Sequence, residues 1–330
     1  MHKESGNMVS LSCKFRSFKA DCALFDVDGV IVDIRKSYDC AIKKTVDFVI
    51  KEITKMSNLN GLVNQEMILK FRQTGGFNND VDTSYAIILA SLANPNKHIN
   101  QMRKFIFTII RNINESGIAS VERFLSSFFS SVEKVKELLN YPGPVGQSIV
   151  STVFDEIFYG AKLFERRYRL KPKYYFGKPL IENDKLVATK STVNALSRLF
   201  KGNIAIVSGR SKLAAEYSLK PIFNTFNLDA SIFLEDEDRQ YSKPSTYGIK
   251  RAMRVMKAKN AIYAGDSRED LLMSRMLEKE TGVKITFLGI YGCSTNPKDT
   301  IRLFRENGAD LIIRSVNQVP NVLNKAFVEL

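Results

Sequence analysis

ALFDVDGVIVD, residues 23–33, carries the reading of this chain: an apolar run that should be buried stops in two carboxylates, Asp26 and Asp28, and a glycine, Gly29. A run without polar alternation suits a strand covered on both faces, as in a parallel sheet. Alternation along an extended chain puts Asp26 and Asp28 on one side, and Gly29 lets the chain turn sharply just after them. Two carboxylates this close repel each other, which favours a cation between them or a proton on one of them. Ordinary strand-ending turns use the same residues, so this stretch alone leaves both readings open.

Working outward, the chain from about residue 180 alternates short apolar runs with amphipathic segments. Strands are expected at 204–208 (IAIVS), 230–234 (ASIFL), 261–265 (AIYAG), 285–291 (ITFLGIY) and 309–314 (ADLIIR). Helical patterns lie between them at Ala188 to Phe200, Thr246 to Lys257 and Arg268 to Glu278. This alternation predicts an α/β fold, a Rossmann-like parallel sheet with crossover helices, to which residues 23–27 contribute the opening strand.

Residues 36–181 differ. Tyr38, Ile42, Val46, Val49 and Ile53 recur at helical spacing, as do Val121, Phe124, Leu125, Phe128, Val132, Val135 and Leu139. A helical insertion thus splits the sheet domain, giving residues 1–35 and 182–330 to an α/β core and 36–181 to an α-helical cap. Phe128 and Phe129 are assigned to the core of that insertion. The stretches 141–146 (YPGPVG) and 171–179 (KPKYYFGKP) read as loops, the second returning the chain to the sheet.

In an open parallel sheet, ligands gather at the carboxyl ends of the strands. IAIVSGR ends in Ser208, followed by Gly209 and Arg210. YSKPS brings Lys243 ahead of a helical segment, and AIYAGDSRED ends in Asp266 with Asp270 four residues on. Each has a bland reading as a turn residue, a solvated charge or a helix cap. Together they supply carboxylates for a metal, with a hydroxyl and an ammonium for an anion, at successive strand ends.

The order DVDGV, a serine after an apolar strand, a lysine and then GDSRED resembles the four motifs of the haloacid dehalogenase superfamily. The helical insertion directly after the first motif is similar to the cap of its phosphoglycolate-phosphatase-like subgroup. The resemblance covers residues 20–35 and about 182–330; over the cap it is mainly positional. It implies phosphoryl transfer through a covalent intermediate, with Asp26 as nucleophile and Asp28 as acid and base. It further implies Mg²⁺ held by Asp26, the Asp28 carbonyl and Asp266, with Asp270 orienting the site, and phosphoryl oxygens bound by Ser208 and Lys243. Gly209 and Arg210 are taken as substrate contacts. In the cap, TGGFNND (74–80) is the stretch comparable with family members, and Gly76, Asn78 and Asn79 are its candidate substrate contacts.

The net charge of +14 suits an anionic partner: a small phosphorylated metabolite, nucleic acid or an acidic surface. The interval 36–181 holds 21 Lys or Arg against 13 Asp or Glu. Its densest part, residues 162–178, interleaves seven basic residues with Phe164, Tyr168, Tyr174, Tyr175 and Phe176. Nucleic acid could use that mixture, but a solvated helix face leading into a linker is the preferred reading. No apolar stretch is long enough for a membrane span, no signal peptide is read, and the scattered cysteines Cys13, Cys22, Cys40 and Cys293 fit a reducing cytoplasm. The expected activity is hydrolysis of a small phosphomonoester. The alternatives are a phosphomutase with the same motifs and a nucleic-acid-associated protein whose sheet domain is a scaffold or a polynucleotide-end phosphatase.

Overall fold

A computed structural model of the chain describes residues 20–55, 59–77 and 79–328. Residues 1–19, including His2 and Cys13, and Asn78 of the cap turn lie outside the described residues. The chain divides into two compact units, Met1–Asp33 with Lys185–Leu330, and Ile34–Asp184.

The first unit contains β1 (Cys22–Phe25), β2 (Val32–Asp33), β3 (Lys185–Leu186), β4 (Ile204–Ser208), β5 (Ile232–Phe233), β6 (Asn260–Gly265), β7 (Lys284–Ile290) and β8 (Leu311–Ile313). Six of them form one sheet in the order β5-β4-β1-β6-β7-β8, with every pairing parallel. Counted among these six alone, the order is third, second, first, fourth, fifth, sixth, the doubly wound arrangement of a Rossmann-like sheet. The α/β class expected from the sequence is therefore the one observed. β2 and β3 pair antiparallel as a separate two-residue ribbon, Val32 opposite Leu186.

β1, β4 and β8 are buried throughout, which is why their sequences lack polar alternation. One large apolar cluster joins Leu24 of β1, Val207 of β4, Ile232 of β5, Tyr263 of β6 and Phe287 of β7. Ile249 and Met253 of α10 (Tyr247–Val255), Leu271 of α11 (Arg268–Thr281) and Phe304 of α12 (Pro297–Glu306) complete it, and the unit also contains α8 (Lys190–Leu199), α9 (Lys212–Ser218) and α13 (Val319–Val328). Register lays the strand ends side by side: Phe25 is opposite Ile206 on one flank and Ala264 on the other.

The second unit is helical: α1 (Tyr38–Thr54), α2 (Gln65–Gln73), α3 (Asp80–Ala93), α4 (Ile99–Asn112), α5 (Ile118–Ser126), α6 (Val132–Leu139) and α7 (Ile149–Tyr168), whose helix is broken by a kink at Gly160. α3 is buried along nearly its whole length, and α1 packs on both α3 and α7. Tyr38 of α1 stacks on Phe158 of α7 at 4.0 Å between ring centroids.

Two expectations need correction here. The helical spacing from Val121 to Leu139 spans two helices, because the chain turns at 127–131. Phe128 consequently lies on the surface, 64% exposed, instead of in the core. The expected strand over 230–234 is shorter, since Leu234–Asp236 form a 3₁₀ turn. The carboxylates of that turn are used at the start of α9, where Ser211 N–H donates to Glu235 and Lys212 N–H to Asp236, at 2.9 and 2.7 Å. No helix among the described residues is long and apolar enough to cross a membrane.

Candidate active site

The site lies wholly in the first unit, where β1, β4 and β6 end. Asp26 follows β1 directly and is buried, and its Oδ1 accepts a 2.7 Å bond from the Val27 N–H. The turn after it is possible because Gly29 takes φ +73, and no side chain could stand there: a Cβ on Gly29 would fall 1.7 Å from Asp266 Oδ2. That glycine thus brings the carboxylate at the end of β6 against the end of β1.

Lys243, whose side chain is completely buried, reaches this place from the segment before α10. Its ammonium lies 3.0 Å from Asp26 Oδ2 and 2.7 Å from Asp270 Oδ1. Asp270 is further fixed by the Tyr263 hydroxyl, which donates to Oδ1 at 2.9 Å, and by the Ser267 hydroxyl at 2.8 Å on Oδ2. Ser267 and Asp270 form a reciprocal capping box at the start of α11. Both oxygens of Asp270 are therefore engaged, which suits it to orient Lys243.

Electrostatics at Asp26 are unbalanced. Burial is the largest influence and pushes its carboxyl up to about 7; Lys243 opposes this, while Asp270 and Asp28 add to it and the Ser208 hydroxyl bond lowers it slightly. On Lys243 burial acts first, downward, yet the neighbouring Asp26 and Asp270 outweigh it and hold the ammonium well above its ordinary value. Lys243 is shared between Asp26 and Asp270, and Asp266 stands beside them. Oxygens of Asp26, Asp266 and Asp270 all lie within 4.8 Å of one another, a hard, all-oxygen donor set of the kind that holds Mg²⁺ or Ca²⁺. The residues present fit a divalent cation.

The structure thus brings together Asp26, Ser208, Lys243, Asp266 and Asp270. Asp28 is also here, but its carboxylate accepts from Arg210, from Nε at 2.9 Å and from Nη2 at 2.6 Å. Arg210, expected to contact substrate, is 1% exposed, with its guanidinium turned to Asp28. Gly209, half-buried, links it to Ser208.

The candidate cap residues have local roles. Asn79 Oδ1 accepts from the Val81 N–H at 2.9 Å and so caps α3. Gly76 packs against the turn before α5, where a Cβ would meet Gly117 N at 2.6 Å. The basic aromatic stretch is mostly exposed, with Phe164 buried, and its backbone is anchored inward: the buried carboxylate of Glu156 accepts backbone N–H bonds from Lys173, Tyr174 and Tyr175 at 2.7, 2.6 and 2.9 Å. Tyr174 also meets Phe48 edge-on, although Phe176 stays 74% exposed.

Sequence reading missed Tyr263. The signal was present, because a tyrosine inside a fully apolar strand needs a partner for its hydroxyl, and this one finds Asp270 and the Val207 carbonyl.

No family model matches the chain, and no curated protein matches it in sequence. Solved structures match in fold. A phosphatase, Tt82, from Thermococcus thioreducens superposes with a TM-score of 0.55 at 21% identity, over 85% of this chain and 98% of its own. A structural genomics target, ZR25, gives a TM-score of 0.59 at 17% identity, over 94% of this chain and all of its own. These likenesses establish a shared fold.

Proposed function

We propose that the chain belongs to the haloacid dehalogenase superfamily, in its phosphoglycolate-phosphatase-like subgroup, and hydrolyses a small phosphomonoester with Mg²⁺. The observation that carries this reading is the convergence of Asp26, Ser208, Lys243 and Asp266 from four separate segments onto one buried place, in the motif order of that superfamily. The fold shared with a phosphatase agrees with it.

In this reading Asp26 attacks phosphorus, forming an Asp26 O–P bond as the bond to the leaving oxygen breaks. Asp28 gives its proton to that oxygen, then takes one from the water that attacks the aspartyl-phosphate, and Asp26 is released as a carboxylate with inorganic phosphate. Ser208 and Lys243 hold phosphoryl oxygens, and Lys243 favours the ionised form of Asp26 against the cost of burial. Mg²⁺, held by Asp26, Asp266 and the Asp28 carbonyl, would supply charge neutralisation for the phosphoryl group.

Acid-quench trapping of labelled phosphoenzyme from an aryl phosphate with Mg²⁺ tests the reading. Label is expected on the wild type and none on Asp26→Asn; label at the wild-type level on Asp26→Asn overturns it. Turnover without any phosphorylated activator separates the hydrolase from a phosphomutase.

A further inference from the structure

Arg210 has no task in the chemistry above, yet its side chain is wholly buried and ends on a carboxylate that the reaction uses. Its guanidinium is engaged through all three nitrogens. Nε and Nη2 both donate to one oxygen of Asp28, Oδ1, at 2.9 and 2.6 Å, and Nη1 donates to Ser218 Oγ at the end of α9, at 2.7 Å. Its base is equally fixed. The Arg210 N–H donates to Ser208 Oγ at 3.3 Å, and the next residue, Ser211, caps α9 through the Ala214 N–H. Withdrawing the guanidinium from Asp28 would break a buried charge pair.

We infer that Arg210 is the positioning residue for Asp28: it grips Oδ1 and so presents Oδ2 as the oxygen that gives and then receives the proton. The inference rests on the proposed phosphatase reading. An oxygen that already accepts two N–H bonds from a cation is poorly placed to carry a proton, so the proton resides on Oδ2. From there it passes to the leaving oxygen as the phosphorus bond to that oxygen breaks; Oδ2 later accepts the proton of the attacking water. Asp28 stands beyond the end of β1, a quarter exposed, ahead of the turn at Gly29. Without the grip its carboxyl group rotates, and misplacement by about 1 Å costs on the order of 10²-fold in rate.

The readout is the dependence on leaving group, which a merely structural role would not move. Phosphoenzyme formation is timed for wild type, Asp28→Asn, Arg210→Lys, Arg210→Met and the double variant Asp28→Asn/Arg210→Met, on monoesters from nitrophenyl phosphate to simple alkyl phosphates. A nitrophenolate leaves without a proton, whereas an alkoxide needs one. Both Arg210 variants should lose about 10²-fold on alkyl phosphates and far less on the nitrophenyl ester. The double variant should be no slower than Asp28→Asn on the alkyl series, because the two residues act as one unit. Equal losses across the series for both Arg210 variants, with Asp28→Asn still selective against alkyl phosphates, overturn the positioning role and leave the phosphatase reading standing. Equal losses for Asp28→Asn itself overturn the acid and base assignment and this inference with it. Where Arg210→Met does not fold, Arg210→Lys and Ser218→Ala, which removes only the Nη1 contact, are read on the same series with the same criteria.

Discussion

In each unit one cation serves two buried carboxylates, and the outcomes differ. In the helical unit Arg72 lies 2.8 Å from both Asp39, at the start of α1, and Asp80, at the start of α3. Its fork of donors is a quarter exposed, Asp39 also receives the Gln65 amide, and neighbouring Asp82 receives the Tyr141 hydroxyl. At the end of β1, Lys243 is a single buried ammonium shared by Asp26 and Asp270, with Asp266 close by and Asp26 pushed up to about 7. Each place gathers more carboxylates than cations, but in the helical unit the neutral donors of Gln65 and Tyr141 supplement Arg72, whereas at the end of β1 oxygens of three carboxylates stand within 4.8 Å of one another. Carboxylate oxygens gathered this closely suit a cation and proton transfer, while carboxylates met one by one by donors from different helices hold those helices together.

The comparison breaks first at Asp266. Saturating Mg²⁺, at about 100 times its dissociation constant, should stabilise the wild type by about 2.7 kcal/mol, read as a rise in melting temperature. Asp266→Asn should lose that rise together with about 10²-fold of the activity. An unchanged metal response in this variant would place the cation elsewhere.

Arg72→Met should cost about 2–4 kcal/mol in urea unfolding, because it leaves Asp39 and Asp80 without their shared cation, while activity per folded molecule stays within about twofold. A changed substrate preference would mean that the 74–80 turn has chemistry of its own. Asn79→Ala is a finer probe of the same turn. Loss of one helix cap should cost about 1 kcal/mol, and the ranking of phosphomonoesters should not change; a new ranking would make Asn79 a substrate contact.

The smallest expected signal is a missing one. Burial, with the charge of Asp21 adding to it, pushes the Cys22 thiol up to about 12. At pH 8 it remains protonated, and iodoacetamide should label the half-buried Cys40 and Cys293 while sparing Cys22 until the protein is unfolded. Mass spectrometry of the labelled native protein reads this directly, and rapid labelling of Cys22 would show that β1 opens readily.

Much of the sheet and its strand ends was legible in the sequence, for a physical reason. A strand buried on both faces must be apolar throughout, so the first polar residue after it marks the end, as Asp26, Ser208 and Asp266 do. Short elements were not legible: β2 and β3 have two residues each, too few to show a period. The segment around Phe128 misled because the i, i+4 pattern continues across a turn that serines, not glycine or proline, create. The pairing of Arg210 was not legible either, because a charge beside a glycine at a strand end looks like an anion contact. Its partner Asp28 lies 182 positions away, and no local pattern records that pairing.

Of the six strands of the described sheet, β1 is made first and lies in the interior. Its partners on either flank, Ala205 opposite Leu24 and Tyr263 opposite the same residue, arrive after the whole helical unit has been synthesised. At 5–20 residues per second the wait for β4 is about 10–40 s, during which an apolar strand with two open edges has no native neighbour. The nascent chain therefore carries its own aggregation hazard from the outset. Asp21, Asp26 and Asp28 flank that strand with charge throughout the wait, so the carboxylates at its far end would also act as gatekeepers for a sheet not yet built.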